Sequence, residues 1–188
     1  EELELLDGRI EQNTRELENI AMYDRLTNLP NCNMLNYQLK KLLVSMKRDS
    51  NKLTLMFLDF DKFRKVNDTH GHDVGDAFLI SAAQRIHGCL HDSDMLFRYG
   101  ADEFVVMFLE KSTSEGAPVL ATKLIDSFIE PIAVDDLLFY TSSSIGIAST
   151  EDASLLVDDL IRQSDMAMYA SKDAGGNRYS TFSDVMQK

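Results

Sequence analysis

Met95-Leu96-Phe97-Arg98-Tyr99-Gly100-Ala101-Asp102-Glu103-Phe104-Val105-Val106-Met107-Phe108-Leu109 is the stretch on which the fold turns. Two apolar, aromatic and β-branched runs, Met95 to Tyr99 and Glu103 to Leu109, flank a short break at Gly100 and Ala101. That pattern predicts two strands joined by a tight turn, a β-hairpin. Its turn carries two adjacent carboxylates, Asp102 and Glu103.

Upstream of the hairpin, Leu53 to Asp59 reads as a buried strand, and Leu35, Leu39, Leu42, Leu43 and Met46 mark one face of a helix from about Cys32 to Lys47. Gly71 and Gly75 are expected to break the chain before a helix from about Asp76 to Cys89. Downstream, a helix over Ala117 to Ile129 stops at Pro131, and Ile132 to Val134 and Leu138 to Ala148 read as strands. A helix from Leu155 to Lys172 ends at Gly175 and Gly176, before a short strand at Asn177 to Phe182. This mixture predicts an α+β fold, with a central mixed, mostly antiparallel sheet of five to six strands flanked by helices.

The first 22 residues form a separate unit. Leu3, Leu6, Ile10, Asn13, Leu17 and Ile20 are spaced 3, 4, 3, 4, 3, the seam of a coiled coil. A polar Asn13 on that seam fixes register and favours two strands, so a parallel homodimer through this helix is expected; a helix packed on its own domain is the alternative.

Composition narrows the class. Hydrophobic residues make up 44% of the chain, which suits a packed core and not disorder. The longest apolar run, Leu53 to Leu58, is of strand length and is interrupted by Thr54, far short of a membrane span. A net charge of −12 argues against nucleic acid and anionic lipid as partners. Cys32 and Cys89 lack metal-site spacing and read as free thiols of a reducing cytosol. The acidic start without Met is expected of a piece of a longer protein, whose membrane anchoring stays open.

Three acidic clusters are candidates for chemistry: Asp59 with Asp61 at a strand end, Asp102 with Glu103 at the hairpin turn, and Asp73 with Asp76 at a helix start. A strand-end carboxylate beside a hairpin carboxylate can hold Mg²⁺, a hard cation that prefers carboxylate and phosphate oxygens. Taken singly, each acid is more simply a solvated loop end, and Asp76 a helix cap.

In family terms these blocks are not independent. Arg98-Tyr99-Gly100-Ala101-Asp102-Glu103-Phe104 resembles the RYGGDEF signature of diguanylate cyclases, with one change. Asp24-Arg25-Leu26-Thr27-Asn28-Leu29-Pro30-Asn31 is similar to that family's DxLTxLPN opening. Asp59-Phe60-Asp61-Lys62-Phe63-Arg64-Lys65-Val66-Asn67-Asp68 resembles DIDxFKxxND and runs on into a GHxxGD-like block, Gly71 to Asp76. Ser144 to Ala148 and Asp165 to Lys172 resemble SIGIA and ADxALYxAK. The resemblance covers about Tyr23 to Phe182.

It implies a nucleotidyl cyclase, polymerase-palm-like fold and the condensation of two GTP into cyclic di-GMP by a homodimer. By position, Asp59 and Asp102 would bind Mg²⁺ (or Mn²⁺) through side chains and Phe60 through its backbone carbonyl, its side chain free to vary. Glu103 would support the metal or activate the 3′-hydroxyl. Asn67 and Asp76 would read guanine, Arg64 and Lys172 would hold the β- and γ-phosphates, and Gly100 and Ala101 would pass close to the nucleotide. His70 and His72 are expected to serve the turn, and Met166 and Met168 the core.

The departures from the pattern matter as much. Ala101 replaces the second glycine; were φ positive there, alanine would cost about 1 kcal/mol. Gly176 stands where a phosphate-binding Arg is frequent, Arg64 replaces the usual Lys, and Cys32 replaces a frequent Arg. The product-binding RxxD has become His91-Asp92-Ser93-Asp94, so tight product inhibition is not expected. Three readings follow: an active cyclase, a GTP-binding module that regulates a downstream EAL phosphodiesterase domain, and a dimerisation scaffold. The expected organisation is a helix over 1–22, a GGDEF domain over 23–182, and a linker over 183–188 toward an EAL domain, with a sensor domain supplying the input.

Overall fold

The computed structural model describes residues 2–46 and 51–183. The expected helix end at Lys47 and residues 184–188 of the expected linker lie outside them.

The centre is strand β1 (Asn51–Phe60), whose last eight residues are all buried. It pairs antiparallel with β3 (Glu103–Lys111) on one side and β6 (Ser143–Thr150) on the other. Strand β2 (Met95–Arg98) extends the sheet beyond β3, and β7 (Arg178–Thr181) adds parallel to β6. The order β2-β3-β1-β6-β7 makes five strands with a single parallel pair, as the sequence predicts.

Side chains alternate along β1 between two hydrophobic layers. Met56, Leu58 and Phe60 meet Phe78, Leu79, Ala82 and Ile86 of α4 (His72–Cys89) and Ala121 and Leu124 of α5 (Gly116–Ser127). Leu53, Leu55 and Phe57 meet Leu35, Leu39 and Leu43 of α2 (Cys32–Ser45) and Leu160 and Met168 of α6 (Val157–Asp173). Both faces are covered, which is why β1 reads as a continuous apolar run. The same alternation puts Asp59 on the α6 face.

Gly146 sets how closely α6 sits. A Cβ there would lie 2.0 Å from the Ser164 carbonyl oxygen and 2.1 Å from the Met168 nitrogen. The SIGIA glycine thus lets a helix backbone rest directly on β6.

The structure corrects four expectations. Gly75 breaks nothing: it lies within α4, and a further helix, α3 (Phe63–His70), precedes it. The break is Gly71 alone, which ends α3 and caps α4 at φ 87. Asp76 is therefore a full turn inside α4 and caps nothing. The long strand expected over Leu138 to Ala148 is two, β5 (Leu137–Phe139) and β6, because β5 pairs with β4 (Ile132–Val134) in a ribbon of its own. Finally, the Phe60 side chain is not free to vary. It is buried with its ring centroid 5.1 to 5.9 Å from those of Phe128, Phe78 and Phe104.

Helix α1 (Glu2–Met22) stands apart from this core. Leu3, Leu6, Ile10, Leu17 and Ile20 are 51% to 77% exposed, so the seam does not pack on its own domain. At its far end the Asn31 and Asn33 amides both donate to the Ala21 carbonyl, and Asn31 also caps α2.

Candidate active site

Antiparallel register brings the two candidate metal carboxylates together. Asp59, the penultimate residue of β1, lies directly opposite Glu103, the first residue of β3, so Asp102 arrives beside it from the turn. Lys172 reaches the same point from the last turn of α6, its Nζ 2.9 Å from Asp59 Oδ2.

The charges are unbalanced. Asp59 is 7% exposed, and its Oδ1 is buried with no hydrogen-bond partner. Burial pushes its carboxyl up to about 7, helped by the neighbouring Asp102 and opposed by the Lys172 hydrogen bond and charge. Glu103 is also raised, by burial and then by Asp102 and Asp165. Burial lowers the Lys172 ammonium, but its hydrogen bond to Asp59 and the carboxylates of Asp59, Asp102 and Asp61 outweigh this and hold it above its ordinary value. One lysine thus faces several acids. A buried carboxylate oxygen without a partner, among excess negative charge, is what a divalent cation with phosphate oxygens would satisfy. The donor set fits such an ion, although no three acidic, His or Cys side chains among the described residues converge on one point.

The turn itself has ordinary backbone. Ala101 is not among the residues with positive φ, so the expected strain penalty does not arise. The reason for Gly100 is also local: a Cβ there would meet Glu103 Oε2 at 2.5 Å, so the glycine makes room for the catalytic candidate's own carboxylate.

Two residues that position this turn were not singled out in the sequence. Arg98 Nη1 lies 3.0 Å from both carboxylate oxygens of Asp24, and its Nη2 donates to the Ala101 carbonyl at 2.7 Å. Asp24 also accepts from the Thr27 N–H and hydroxyl, and although burial opposes it, these bonds and Arg98 hold its carboxyl below the usual range. The opening block and the signature are therefore one clamp. The only advance signal was their joint occurrence.

Asp61, named beside Asp59 as an acidic pair, does something else. It accepts from the Ser142 and Ser144 hydroxyls and from the Asn177 N–H, tying β1 to β6 and β7. Gly176, at φ 74, is pressed against it: a Cβ would come within 2.8 Å of Asp61 Oδ2.

The candidate guanine readers lie on consecutive helices, Asn67 on α3 and Asp76 on α4. Gly75 is so close to Asn67 that a Cβ would overlap Asn67 Oδ1 at 1.8 Å, which places exposed Asp76 one residue from that contact. Arg64 is not drawn in: it is exposed, and its ion-pair partner is Asp68, one turn along α3. The α3 N-terminus was missed in the sequence because the helix itself was. Lys62 caps it at φ 61 without a side-chain bond; the Lys65 N–H donates back to the Lys62 carbonyl, and the N–H groups before it have no acceptor within the helix. His70 packs edge-on against Phe139, and the His91 N–H donates to Asp94, closing the degenerate RxxD into a local turn.

The model of the family described as diguanylate cyclase, GGDEF domain, matches residues 21–178. The chain belongs to the GGDEF family. Among relatives of this GGDEF domain, the bifunctional diguanylate cyclase/cyclic di-GMP phosphodiesterase MucR of Pseudomonas aeruginosa is 34% identical over 193 residues, 97% of this chain and 28% of that protein. Diguanylate cyclase TpbB of the same species is 34% identical over 180 residues, 95% of this chain and 41% of its own. The GGDEF domain thus spans less than half of either relative. The crystal structure of the TpbB (YfiN) GGDEF domain superposes with a TM-score of 0.78 at 33% identity, covering 84% of this chain and 98% of that one. The coiled coil and GGDEF domain of DgcB from Caulobacter crescentus, solved with c-di-GMP, gives 0.79 at 25% identity, covering 96% and 98%.

Proposed function

We propose that this GGDEF domain is a diguanylate cyclase, condensing two GTP into cyclic di-GMP with release of pyrophosphate as one half of a homodimer. The observation that carries the reading is the Asp59 carboxylate, with one oxygen on Lys172 and the other buried and unpartnered beside Asp102.

Asp76 accepts from the N1 and N2 donors of guanine, which adenine lacks as a pair, and Asn67 supplies a second contact. Lys172 and the first-turn amides of α3 hold the β- and γ-phosphates, which leave as pyrophosphate, and exposed Arg64 leaves Asp68 to join them. Asp59, Asp102 and the Phe60 carbonyl would hold Mg²⁺ (or Mn²⁺), which would supply neutralising charge at the α-phosphate. Glu103, whose raised carboxyl makes it a stronger base, accepts the proton as the 3′-oxygen bonds to the α-phosphorus and pyrophosphate departs. Each 3′-hydroxyl must come from the GTP of the opposite subunit. The exposed seam of α1 supports a dimer formed through that helix. Two free thiols and a nucleotide substrate support a cytosolic setting.

A second reading, a GTP-binding module without turnover that tunes an EAL phosphodiesterase, draws on Gly176. Its left-handed backbone against Asp61 leaves no cation at that position. Incubation with GTP and Mg²⁺ separates the two: cyclic di-GMP is the expected product. GTP binding by calorimetry without product refutes the first reading. Activity confined to Ala101→Gly then assigns the loss to that methyl, and absence of GTP binding refutes both.

A further inference from the structure

A cleft of about 510 Å³ opens on the other flank of α3, large enough for a small molecule. None of Asp59, Asp102, Asn67 or Lys172 lines it. One wall is Lys65 and Val66 of α3 with Lys62, the residue that caps it, and the floor is aromatic, from Phe78, Phe128 and Phe139. Ile129 and Tyr140, 71% and 78% exposed, form the rim.

Its charge is one-sided. Asp61 lines the cleft, but its carboxylate already accepts from two serine hydroxyls and a backbone N–H. Among the described residues neither Lys62 nor Lys65 has an ion-pair partner, in a chain of net charge −12. Lys62 is moreover held at φ 61, a conformation that costs an L-residue about 1 kcal/mol and persists where the surroundings impose it. Two unpaired ammonium groups over an aromatic floor suit a ligand with an anionic head and an apolar body.

We propose that this cleft binds a small amphipathic anion, an aromatic or similarly apolar body bearing a carboxylate or phosphate. Its head sits by Lys62 and Lys65 and its body lies against Phe128, Phe139 and Tyr140. The wall that holds the head carries none of Asp59, Asp102, Asn67 or Lys172, so the ligand is distinct from the guanine and metal ligands of the proposed nucleotide site, on which this inference rests.

The test is a ¹H–¹⁵N NMR titration of the 188-residue chain with 2-naphthoate, beside neutral 2-naphthalenemethanol. The expected result is saturable shifts at the amides of residues 66, 139–142 and 177, away from the phosphate-binding start of α3, which persist with GTP present. The neutral compound and Lys65→Glu each weaken binding about tenfold or more, since the head loses its attraction. Tyr140→Ser, at an exposed rim position, weakens it independently should Lys65→Glu disturb the fold. Three results overturn the proposal: no saturable shift at millimolar probe, equal binding of the neutral compound, or displacement by GTP with shifts centred on Asn67 and Asp76.

Discussion

Gly75→Ala tests the proposed guanine-reading role of Asn67 separately from the fold. Gly75 lies inside α4, where alanine should stabilise the helix by about 1 kcal/mol. The added Cβ, however, falls 1.8 Å from Asn67 Oδ1, 2.9 Å from its Cγ and 3.5 Å from Phe63 Cζ. Carbon contacts settle near 3.5 Å, so the Asn67 amide must swing by roughly 1.5 Å. Only the end of one short side chain is in the way, and a displaced rotamer costs about 1 kcal/mol. Gain and loss nearly cancel, and Tm should move by no more than about 4 °C. The nucleotide contact does not survive: losing the Asn67 hydrogen bonds and crowding the base should weaken GTP binding about tenfold or more. Calorimetry with a non-hydrolysable GTP analogue and Mg²⁺ reads the affinity, and thermal melting reads the fold. Gly88→Ala is the control, because nothing lies within 4 Å of its Cβ in the same helix. Unchanged affinity in Gly75→Ala, or an equal loss in Gly88→Ala, refutes the assignment of Asn67.

Gly146→Ala should do the opposite, damaging fold and site together. Its Cβ meets α6 backbone at 2.0 and 2.1 Å, which no side-chain rotation relieves, so a loss of about 3 kcal/mol is expected in urea unfolding; an unchanged midpoint contradicts the close packing. The Asp59 carboxyl gives a pH signature. The folded chain keeps its proton up to about 7, while the unfolded chain releases it near 3.8, so the ligand-free domain loses stability as pH rises across that interval. Asp59→Asn should lack this decline, and parallel Tm-against-pH curves for the two proteins would show that the carboxyl is not raised. Replacing Ile10 and Leu17 by Asp on the exposed seam should give a monomer in sedimentation equilibrium that binds GTP but makes no cyclic di-GMP. A dimer that persists removes α1 as its basis.

The members of the candidate site could be picked out because they stand in short contiguous blocks. Asp102 and Glu103 identify themselves by lying in a turn between two apolar runs, and Asp59 by ending a buried strand. What those residues touch was not legible. Asp61 looked like a twin of Asp59, yet the strand's end turns it toward Ser142, Ser144 and Asn177. Arg98 and Asp24 were visible as motif letters but not as an ion pair. Helix α3 went unseen because only Phe63 and Val66 of its eight residues are apolar, too few to mark a helical period.

Local chemistry written along the chain was enough to establish the α+β class, the hairpin, the central strand and the family. Apolar period and turn residues act between near neighbours, so they survive in one dimension. The convergence of β1, the hairpin turn and α6 on a single buried carboxylate belongs to the tertiary structure alone. Strand order, register and the backbone contact at Gly146 join residues remote in sequence, and it is their summed packing that leaves one oxygen of Asp59 without a protein partner.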